Sequence, residues 1–443
     1  MNKIAVDFSK ITGPIKPMHA VNNGPKKAGT DQTRGNLDSW VKAGIPFARN
    51  HDASFCADYG GEHTVDVCAI FPDFDADVND PASYDFILTD EYTKTILDAG
   101  TKVFYRLGNK IEHWKKKYGT LPPKDFQKWA EICEHIIMHY NEGWADGHHW
   151  NIEYWEIWNE PDLDPDDSPN KRTWGGTAAQ FYELYRITAT HLKTRFPHLK
   201  IGGPALAHDV YDWMDGFLAA MTDPSLGPKV PMDFFSWHIY LLDPEKMVER
   251  TRIVREKLDR AGYTKTESIC NEWNYIKDWD KQFVYSIEVI SSMKGAAFTT
   301  ACMLASQHTS MDMLMYYDAR IDTVFNGMFD LYTLRPRKGY YPFKMFHELY
   351  KLGSSASVQI EGEQLYAAAA WGCDGNALML CHYTDDDKVF APRTISLALT
   401  GGASKYDMYL LDQAHDMALV GQVDAQDEIT IAPNSVVLLT AIC

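Results

Sequence analysis

The sequence predicts an α/β fold: a (β/α)8 TIM barrel followed by a smaller C-terminal antiparallel β-sandwich. Three observations carry that expectation. From about Pro14 to Arg335, short β-rich runs ending in polar residues alternate with amphipathic helical stretches, and eight such pairs are present. Alternation of this kind specifies parallel strands joined by crossover helices, and a barrel of about 250 residues with insertions accommodates eight of them. From about Val358 to Cys443 the texture changes to short strands separated by Asp, Gly and Asn turns, the pattern of an antiparallel sheet. The chain has 443 residues, and single cores stop growing at roughly 250–300, so a second unit is expected.

In chain order, KIAVDFS (3–9) is a strand with no helix after it, and it is expected to pair into the C-terminal sheet. The barrel strands are expected at IKPMHAV (15–21), IPFARN (45–50), TKVFYRL (101–107), EYWEIWN (153–159), KIGGPA (200–205), DFFSWHIY (233–240), ESICNEWN (267–274) and MLMYYD (313–318). The helices between them carry start and stop signals. In LDPEKMVERTRIVREKLDRAG, Asp243 is placed to cap, Pro244 suits the first turn, Met247, Val254 and Leu258 share a face, and Gly262 follows the end. LPPKDFQKWAEICEHIIMHY opens on prolines and repeats Ile132, Ile136 and Tyr140 along one side. The sandwich strands are QLYAAAAWG, ALMLCHYT, RTISLAL, KYDMYLLD and SVVLLTAI. The expected division is therefore a catalytic barrel over 10–338 and a sandwich over 339–443, joined by the N-terminal strand 1–9.

Composition excludes several function classes. Forty-three basic against 61 acidic residues give a formal charge of −18, which repels phosphate backbones and anionic lipids, so neither nucleic acid nor membrane is an expected partner. Eight scattered cysteines without a C-x-x-C pair imply neither a zinc module nor a disulfide framework. MNKIAVDFSK lacks the apolar segment of an export signal, and no window approaches the 18 or so apolar residues of a membrane span. A cytoplasmic location fits best, although a chain from which a signal had been removed would look the same. The 13 Trp and 24 Tyr are enough to line a sugar-stacking cleft after most are assigned to core packing.

In a barrel of this type the C-terminal strand ends build the active site. Those ends carry Arg49, His51 and Asp52 after the second strand, Asn159 and Glu160 after the fourth, His238 and Tyr240 on the sixth, Glu272 on the seventh, and Tyr317 and Asp318 on the eighth. Glu160 and Glu272 stand out, because YWEIWNEPDL is apolar until it delivers an amide, a carboxylate and a proline. Glycoside hydrolysis needs such a pair: one carboxyl kept protonated to serve the departing oxygen, the other ionised to meet positive charge at the anomeric carbon. Glu272 is embedded in CNEWNY beside Trp273 and Tyr275, and a nearby phenol donating a hydrogen bond would hold it ionised. Taken alone, Asn159 and Glu160 would equally suit the first turn of a helix; the second acid at the seventh strand end decides against that reading.

YWEIWNEPDL, FFSWHIY and SICNEWNY together resemble the clan A retaining glycoside hydrolases, most closely family 39, the family of β-xylosidases and α-L-iduronidases. The resemblance covers the whole chain in outline and is specific at these motifs. It implies that Glu160 is the acid/base, that Glu272 is the nucleophile, and that Asn159 bonds the sugar 2-hydroxyl. It further implies that His238 and Tyr240 orient the nucleophile and the sugar, and makes His51 and Asp52 in RNHDA candidates for gripping hydroxyls. Trp273, Tyr317 and Arg49 complete the candidate substrate-binding set. The eighth strand departs from the family pattern, with Tyr316 or Tyr317 where a Trp is usual and Asn326 near the place of an acid; this bears on the sugar and leaves the mechanism intact.

The expected activity is therefore that of a retaining, exo-acting glycosidase of β-xylosidase type on oligosaccharides or glycosides, with no cofactor and no metal. A homo-oligomer is plausible from the family. Alternatives are a carbohydrate-binding barrel that has lost turnover and a related enzyme for a uronic acid, arabinose or hexose; Arg49, Arg106 and Arg320 are eligible partners for a uronate. DLDPDDSPN begins like a calcium loop but has Asp167 where Gly belongs and Thr173 where Glu belongs, and reads as a solvated acidic loop. GHHW (147–150) offers two histidines without a third ligand at metal spacing and reads as a turn before a strand. A retaining site places the two carboxyls about 5–5.5 Å apart. The loops NNGPKKAGTD and HDASFCADYGGEHTVD are long enough to wall one end of the pocket.

Overall fold

In the computed structural model, residues 2–28, 35–52 and 64–442 are described. A long strand, β1 (Asn2–Pro14), precedes eight parallel strands that close into a barrel: β2 (Ala20–Asn22), β3 (Phe47–Arg49), β4 (Lys102–Leu107), β5 (Tyr154–Ile157), β6 (Lys200–Leu206), β7 (Phe234–Leu241), β8 (Glu267–Tyr275) and β9 (Met313–Tyr316). All eight regions expected as barrel strands contribute one. The first is much shorter than the apolar run IKPMHAV, because Lys16 is drawn out of the sheet by the carbonyls of Thr309 and Met311.

The strand period of two sorts the barrel interior into layers. Near the strand starts, Ala20, Phe47, Phe104, Tyr154, Phe234, Ile269, Met313 and Met315 fill the interior with apolar volume. Gly202 on β6 belongs to this level, and a Cβ there would strike the carbonyl and ring of Phe234. Two residues further along, inward positions become polar: Asn22, Arg49, Arg106, Glu156, Ser236 and Asn271, all without exposed surface. The outward positions, among them Tyr105, Trp155, Ile157, Trp237 and Trp273, pack against the helices.

The helices begin where side chains satisfy their free amides. The helix Phe126–Asn141 starts at Asp125, whose carboxylate accepts from Gln127 and Lys128, and not at the prolines upstream. Pro244–Arg260 starts as its sequence implies, with Asp243 accepting from the amide of Glu245. The last barrel helix, Tyr341–Leu352, lies beyond residue 338 and packs against the helix Leu37–Ala43.

The remaining strands are β10 (Ser354–Glu361), β11 (Leu365–Gly372), β12 (Gly375–His382), β13 (Arg393–Thr400), β14 (Lys405–Leu411), β15 (Asp416–Asp424), β16 (Glu428–Ile431) and β17 (Ser435–Ala441). With β1 they form one nine-stranded sheet in the order β15-β14-β17-β12-β11-β10-β1-β13-β16. Every pairing is antiparallel except β1 with β13, so the sheet is mixed and not purely antiparallel. The run of four alanines in β11 has no polar alternation because both of its faces are covered. Ala368 and Ala370 face the barrel's core, and Ala367 and Ala369 face a second core with Ile4, Val6 and Leu380.

Candidate active site

Glu160 is presented by a strained strand end. After β5, Trp158 (φ 72°) and Glu160 (φ 49°) both adopt left-handed backbone, which costs a non-glycine residue on the order of 1–3 kcal/mol and persists only where surroundings over-determine it. The surroundings are visible. The Trp158 amide donates to the Leu107 carbonyl at 2.6 Å, its indole to the Thr173 carbonyl at 3.0 Å, the Glu160 amide to the Ala205 carbonyl at 2.9 Å, and the Thr173 hydroxyl to the Glu160 carbonyl at 2.5 Å. Gly108 allows the close approach, since a Cβ there would lie 2.9 Å from the Trp158 Cα.

Glu272 reaches the interior by a bulge. Strict alternation from Ile269, which points inward, would turn Asn271 in and Glu272 out. Trp237 pairs with Cys270, but the next pair is His238 with Glu272, so Asn271 is an extra residue in β8. Both Asn271 and Glu272 therefore face the axis: the Asn271 amide donates to Glu156 at 2.5 Å, and Glu272 Oε2 lies 3.5 Å from the Arg49 guanidinium. Re-aiming a side chain is the recurrent use of a bulge beside a functional site.

The two carboxyl groups meet across the top of the barrel. One oxygen of each and a ring nitrogen of His238 lie within 4.8 Å of one another, and His238 Nδ1 is 2.8 Å from Glu160 Oε1 and 3.5 Å from Glu272 Oε2. This separation belongs with the narrow spacing of about 5–5.5 Å and not with the wider gap of about 6.5–9.5 Å. Such a trio has metal-ligand spacing, but the Arg49 cation already occupies the space beside Glu272 and opposes a second positive charge.

The environments differ. Burial pushes the Glu160 carboxyl up to about 8, and the charge of Asp162 adds to the rise. Burial and the Glu160 charge also raise Glu272, to about 7, but His238, Arg49 and the Tyr240 hydroxyl, which donates to Oε1 at 2.5 Å, favour its ionised form. Burial lowers His238 below its ordinary value, against the pull of the Glu272 charge. Both carboxyls are thus raised by burial, and Glu272 is the one whose cationic and phenolic neighbours favour ionisation.

A cavity of about 720 Å³ opens above the pair and is lined by His51, Asn159, Glu160, Tyr240, Glu272 and Tyr317 among the residues expected from sequence. Arg49, Asp52 and His238 are brought to the site but stand behind its wall: Arg49 donates to Asn159 Oδ1 at 2.7 Å, and Asp52 accepts from the Tyr317 hydroxyl at 3.2 Å. Trp273 is not in the site. The residue after the bulge points outward, and its ring packs on Phe298 and Tyr316. Of the two eighth-strand tyrosines, Tyr317 lines the cavity, while Tyr316 turns out to the Phe325 carbonyl. The phenol beside Glu272 is Tyr240; Tyr275 bonds Asp385 at 2.6 Å. Asn326 is a loop staple, accepting from the amides of Met328 and Phe329.

Two expectations need correction. The acidic loop is not solvated at Asp162, which is 7% exposed and accepts from the amides of Ala207, His208 and Asp209. The arginines expected as uronate partners already hold carboxylates: Arg49 holds Glu156, Arg106 holds Asp66, and Arg320 lies against Asp318. The lining also includes His113, Arg172, His208 and Arg250 on one side and Trp279, Phe283 and Phe325 on another, none singled out from sequence. The loop after the seventh strand was the readable signal, because Trp279 is an exposed aromatic at a catalytic-face position. The two loops expected to wall the pocket fall partly on residues 29–34 and 53–63, outside those described.

An eight-stranded barrel with paired carboxyls at the ends of its fourth and seventh strands defines the barrel class of glycoside hydrolases. The comparisons narrow the class. The family model for glycosyl hydrolases family 39 matches residues 4–293, and the chain belongs to that family. It is 25% identical over 286 residues to a β-xylosidase of Geobacillus stearothermophilus, covering 58% of this chain and 51% of that protein. It is 29% identical over 175 residues to a β-xylosidase of Caldicellulosiruptor saccharolyticus, covering 36% of this chain and 32% of that one. The matches thus span about half and about a third of the length of these relatives. Among solved structures, a glucosidase from Croceicoccus marinus superimposes with a TM-score of 0.80 at 22% identity over 100% of this chain and 99% of its own, a likeness of fold. No helix among the described residues is long and apolar enough to cross a membrane.

The raised Glu160 carboxyl has a stability consequence. The unfolded chain loses this proton near 4.5 and the folded chain near 8, so the stability it confers is present below 4.5 and is lost as pH rises between those values. Glu160→Gln never ionises and keeps a partner for His238. It is expected to unfold in denaturant at higher concentration than the parent at pH 8, by on the order of 1–2 kcal/mol, and to converge with it in acid. A less stable variant at pH 8 would contradict the protonated assignment.

Proposed function

We propose that this chain is a retaining, exo-acting glycoside hydrolase that removes a terminal sugar of β-xyloside type by double displacement, with Glu160 as acid and then base and Glu272 as nucleophile. The observation that carries the reading is a pair of buried carboxyls within 4.8 Å, both raised by burial, of which Glu272 has Arg49 and the Tyr240 hydroxyl to favour its ionised form and Glu160 has the charge of Asp162 against its own. In the first step a Glu272 oxygen forms a bond to the anomeric carbon while the bond to the leaving oxygen breaks and takes the Glu160 proton. In the second, water attacks the anomeric carbon, Glu160 accepts a proton from it, and Glu272 leaves as carboxylate.

The supporting residues fit those steps. Arg49 and Tyr240 disperse the Glu272 charge before attack and after departure. Arg49 also holds the Asn159 carbonyl, leaving the amide nitrogen to face the sugar's 2-hydroxyl, where a hydrogen bond that strengthens in the transition state accelerates the chemistry. His238 Nδ1 meets Glu160 Oε1 at 2.8 Å and holds the acid in place. Trp279, Phe325 and Tyr317 supply apolar faces for a sugar ring and its aglycone. The names of the two β-xylosidase relatives support the xyloside reading.

On nitrophenyl glycosides, Glu272→Ala is expected to lose more than about a thousandfold in kcat, and azide to restore turnover by giving the glycosyl azide of inverted configuration. Full-rate hydrolysis by that variant would remove the nucleophile. Glu160→Ala is expected to be sensitive to the leaving group. It should lose roughly 10²–10⁴-fold with an alkyl aglycone, which needs the proton, and far less with a nitrophenolate, which does not. Equal losses with both would deny Glu160 the role of acid. Digestion of a xylo-oligosaccharide should release single sugars from the first turnovers, and long products at early times would overturn the exo reading.

A further inference from the structure

The outer helical layer holds a second convergence of ligand-type side chains, contributed by elements remote from the cavity. Asp90 lies in the first turn of the helix Ile87–Asp98, His139 in the last turn of Phe126–Asn141, and His148 in the loop that leads into β5, at the barrel end where strands begin. His139 Nε2 is 3.0 Å from Asp90 Oδ1, His148 Nε2 is 3.2 Å from Asp90 Oδ2, and one ligand atom of each lies within 4.8 Å of the others. Ligand atoms around a tetrahedral ion with bonds of about 2.0–2.2 Å stand roughly 3.3–3.5 Å apart. We propose that Asp90, His139 and His148 bind one divalent transition-metal ion of the zinc class, with water completing the coordination.

The hydrogen-bond pattern around the cluster also fits a bound ion. His139 Nδ1 is 2.9 Å from the Trp144 carbonyl, which only accepts, so this nitrogen carries the hydrogen. Nε2, 3.0 Å from Asp90 Oδ1, is then the nitrogen that a cation between ring and carboxylate would use. A backbone carbonyl on the far nitrogen is also the arrangement that aims a metal-bound imidazole. His148 Nε2 is buried and close to Asp90, yet makes no hydrogen bond.

Both rings are held in place before any ion arrives. Phe86 stacks on His139 at 3.6 Å and 2°, and Trp150 on His148 at 3.8 Å and 4°. The connecting loop keeps Ala145, Asp146 and Asn151 at positive φ. Its Gly147 passes so close to His139 that a Cβ would lie 2.7 Å from Nδ1 and strike the His139 carbonyl. His139 is 2% exposed, whereas His148 and Asp90 are 29% and 27% exposed, which leaves one side open for water. Two imidazoles and a carboxylate suit zinc and its neighbours and not calcium or magnesium. GHHW thus contributes His148 alone, His149 turning to the Asn141 carbonyl, and the other two ligands come from two different helices, which the ion would pin to the loop entering β5.

The test uses the untagged full chain, stripped with chelator and then given one equivalent of Zn²⁺. Zinc is expected to bind one per chain by elemental analysis and to raise the melting temperature by about 2–4 °C. Co²⁺ is expected to give the intense visible absorption of a low-coordinate site. His148→Ala should weaken zinc binding by at least about 100-fold and remove the shift and the cobalt bands, while glycoside hydrolysis in chelator stays at the parent level. If the parent shows neither shift nor cobalt bands, the cluster is a plain ion pair. If His148→Ala binds zinc as the parent does, the ion sits elsewhere; either result overturns the proposal. Should His148→Ala fold poorly, His148→Gln and the parent's cobalt spectrum decide the same question.

Discussion

A guanidinium without exposed surface sits on the barrel axis, and the site above it is arranged by the need to neutralise and bond that one cation. Arg49 donates to Glu156 at 2.7 Å, to Asn159 Oδ1 at 2.7 Å and to Asn22 Oδ1 at 3.1 Å, and lies 3.5 Å from Glu272. Glu156 takes its other hydrogen bonds from Ser236 at 2.6 Å and Asn271 at 2.5 Å. Breaking a buried pair by removing one partner costs about 3–5 kcal/mol, because the survivor is left charged and dry. The network ties β2, β3, β5, β7 and β8 to a common centre, so the residues that line the cavity stand on a support that tolerates little displacement.

The apolar plug beneath this layer and the cavity above it set the electrostatics. Water is excluded from below by aromatic and aliphatic side chains, so each charge in the polar layer must be met by a protein group. Glu272 stands next to Arg49 and Tyr240 and keeps partial compensation. Burial, with the added charge of Asp162, which three backbone amides hold, raises the Glu160 carboxyl. The division of labour between two chemically identical side chains thus comes from which strand end each occupies and what else the loops bring there.

The C-terminal sheet serves the barrel mechanically. Its inner face lies on the helices Met293–Gln307 and Tyr341–Leu352, which themselves back the last two barrel strands. At the edge of that interface Lys294 and Lys277 hold Asp385, and Tyr275 at the end of β8 bonds the same carboxylate. The strand carrying Glu272 is therefore anchored at its far end by the second unit, and β1 in turn secures that unit from the other end of the chain by pairing with both β10 and β13.

The sequence alone determined the barrel and the sheet, because strand and helix periods, capping aspartates and turn residues are local properties. It also determined the candidate acids, since a carboxylate at the end of the fourth strand is matched by a second at the end of the seventh. What it could not determine were properties that depend on register and on distant neighbours. Counting along β8 by twos would have aimed Glu272 outward and Asn271 inward; only the pairing with β7 introduces the extra residue that turns both to the axis and sends Trp273 into the helices. Tyr240, not the adjacent Tyr275, became the phenol on Glu272 because the partner lies on the neighbouring strand. GHHW acquired its companions from two helices that no spacing rule connects. Each of these outcomes rests on contacts between residues far apart in the chain, which folding establishes and linear pattern does not encode.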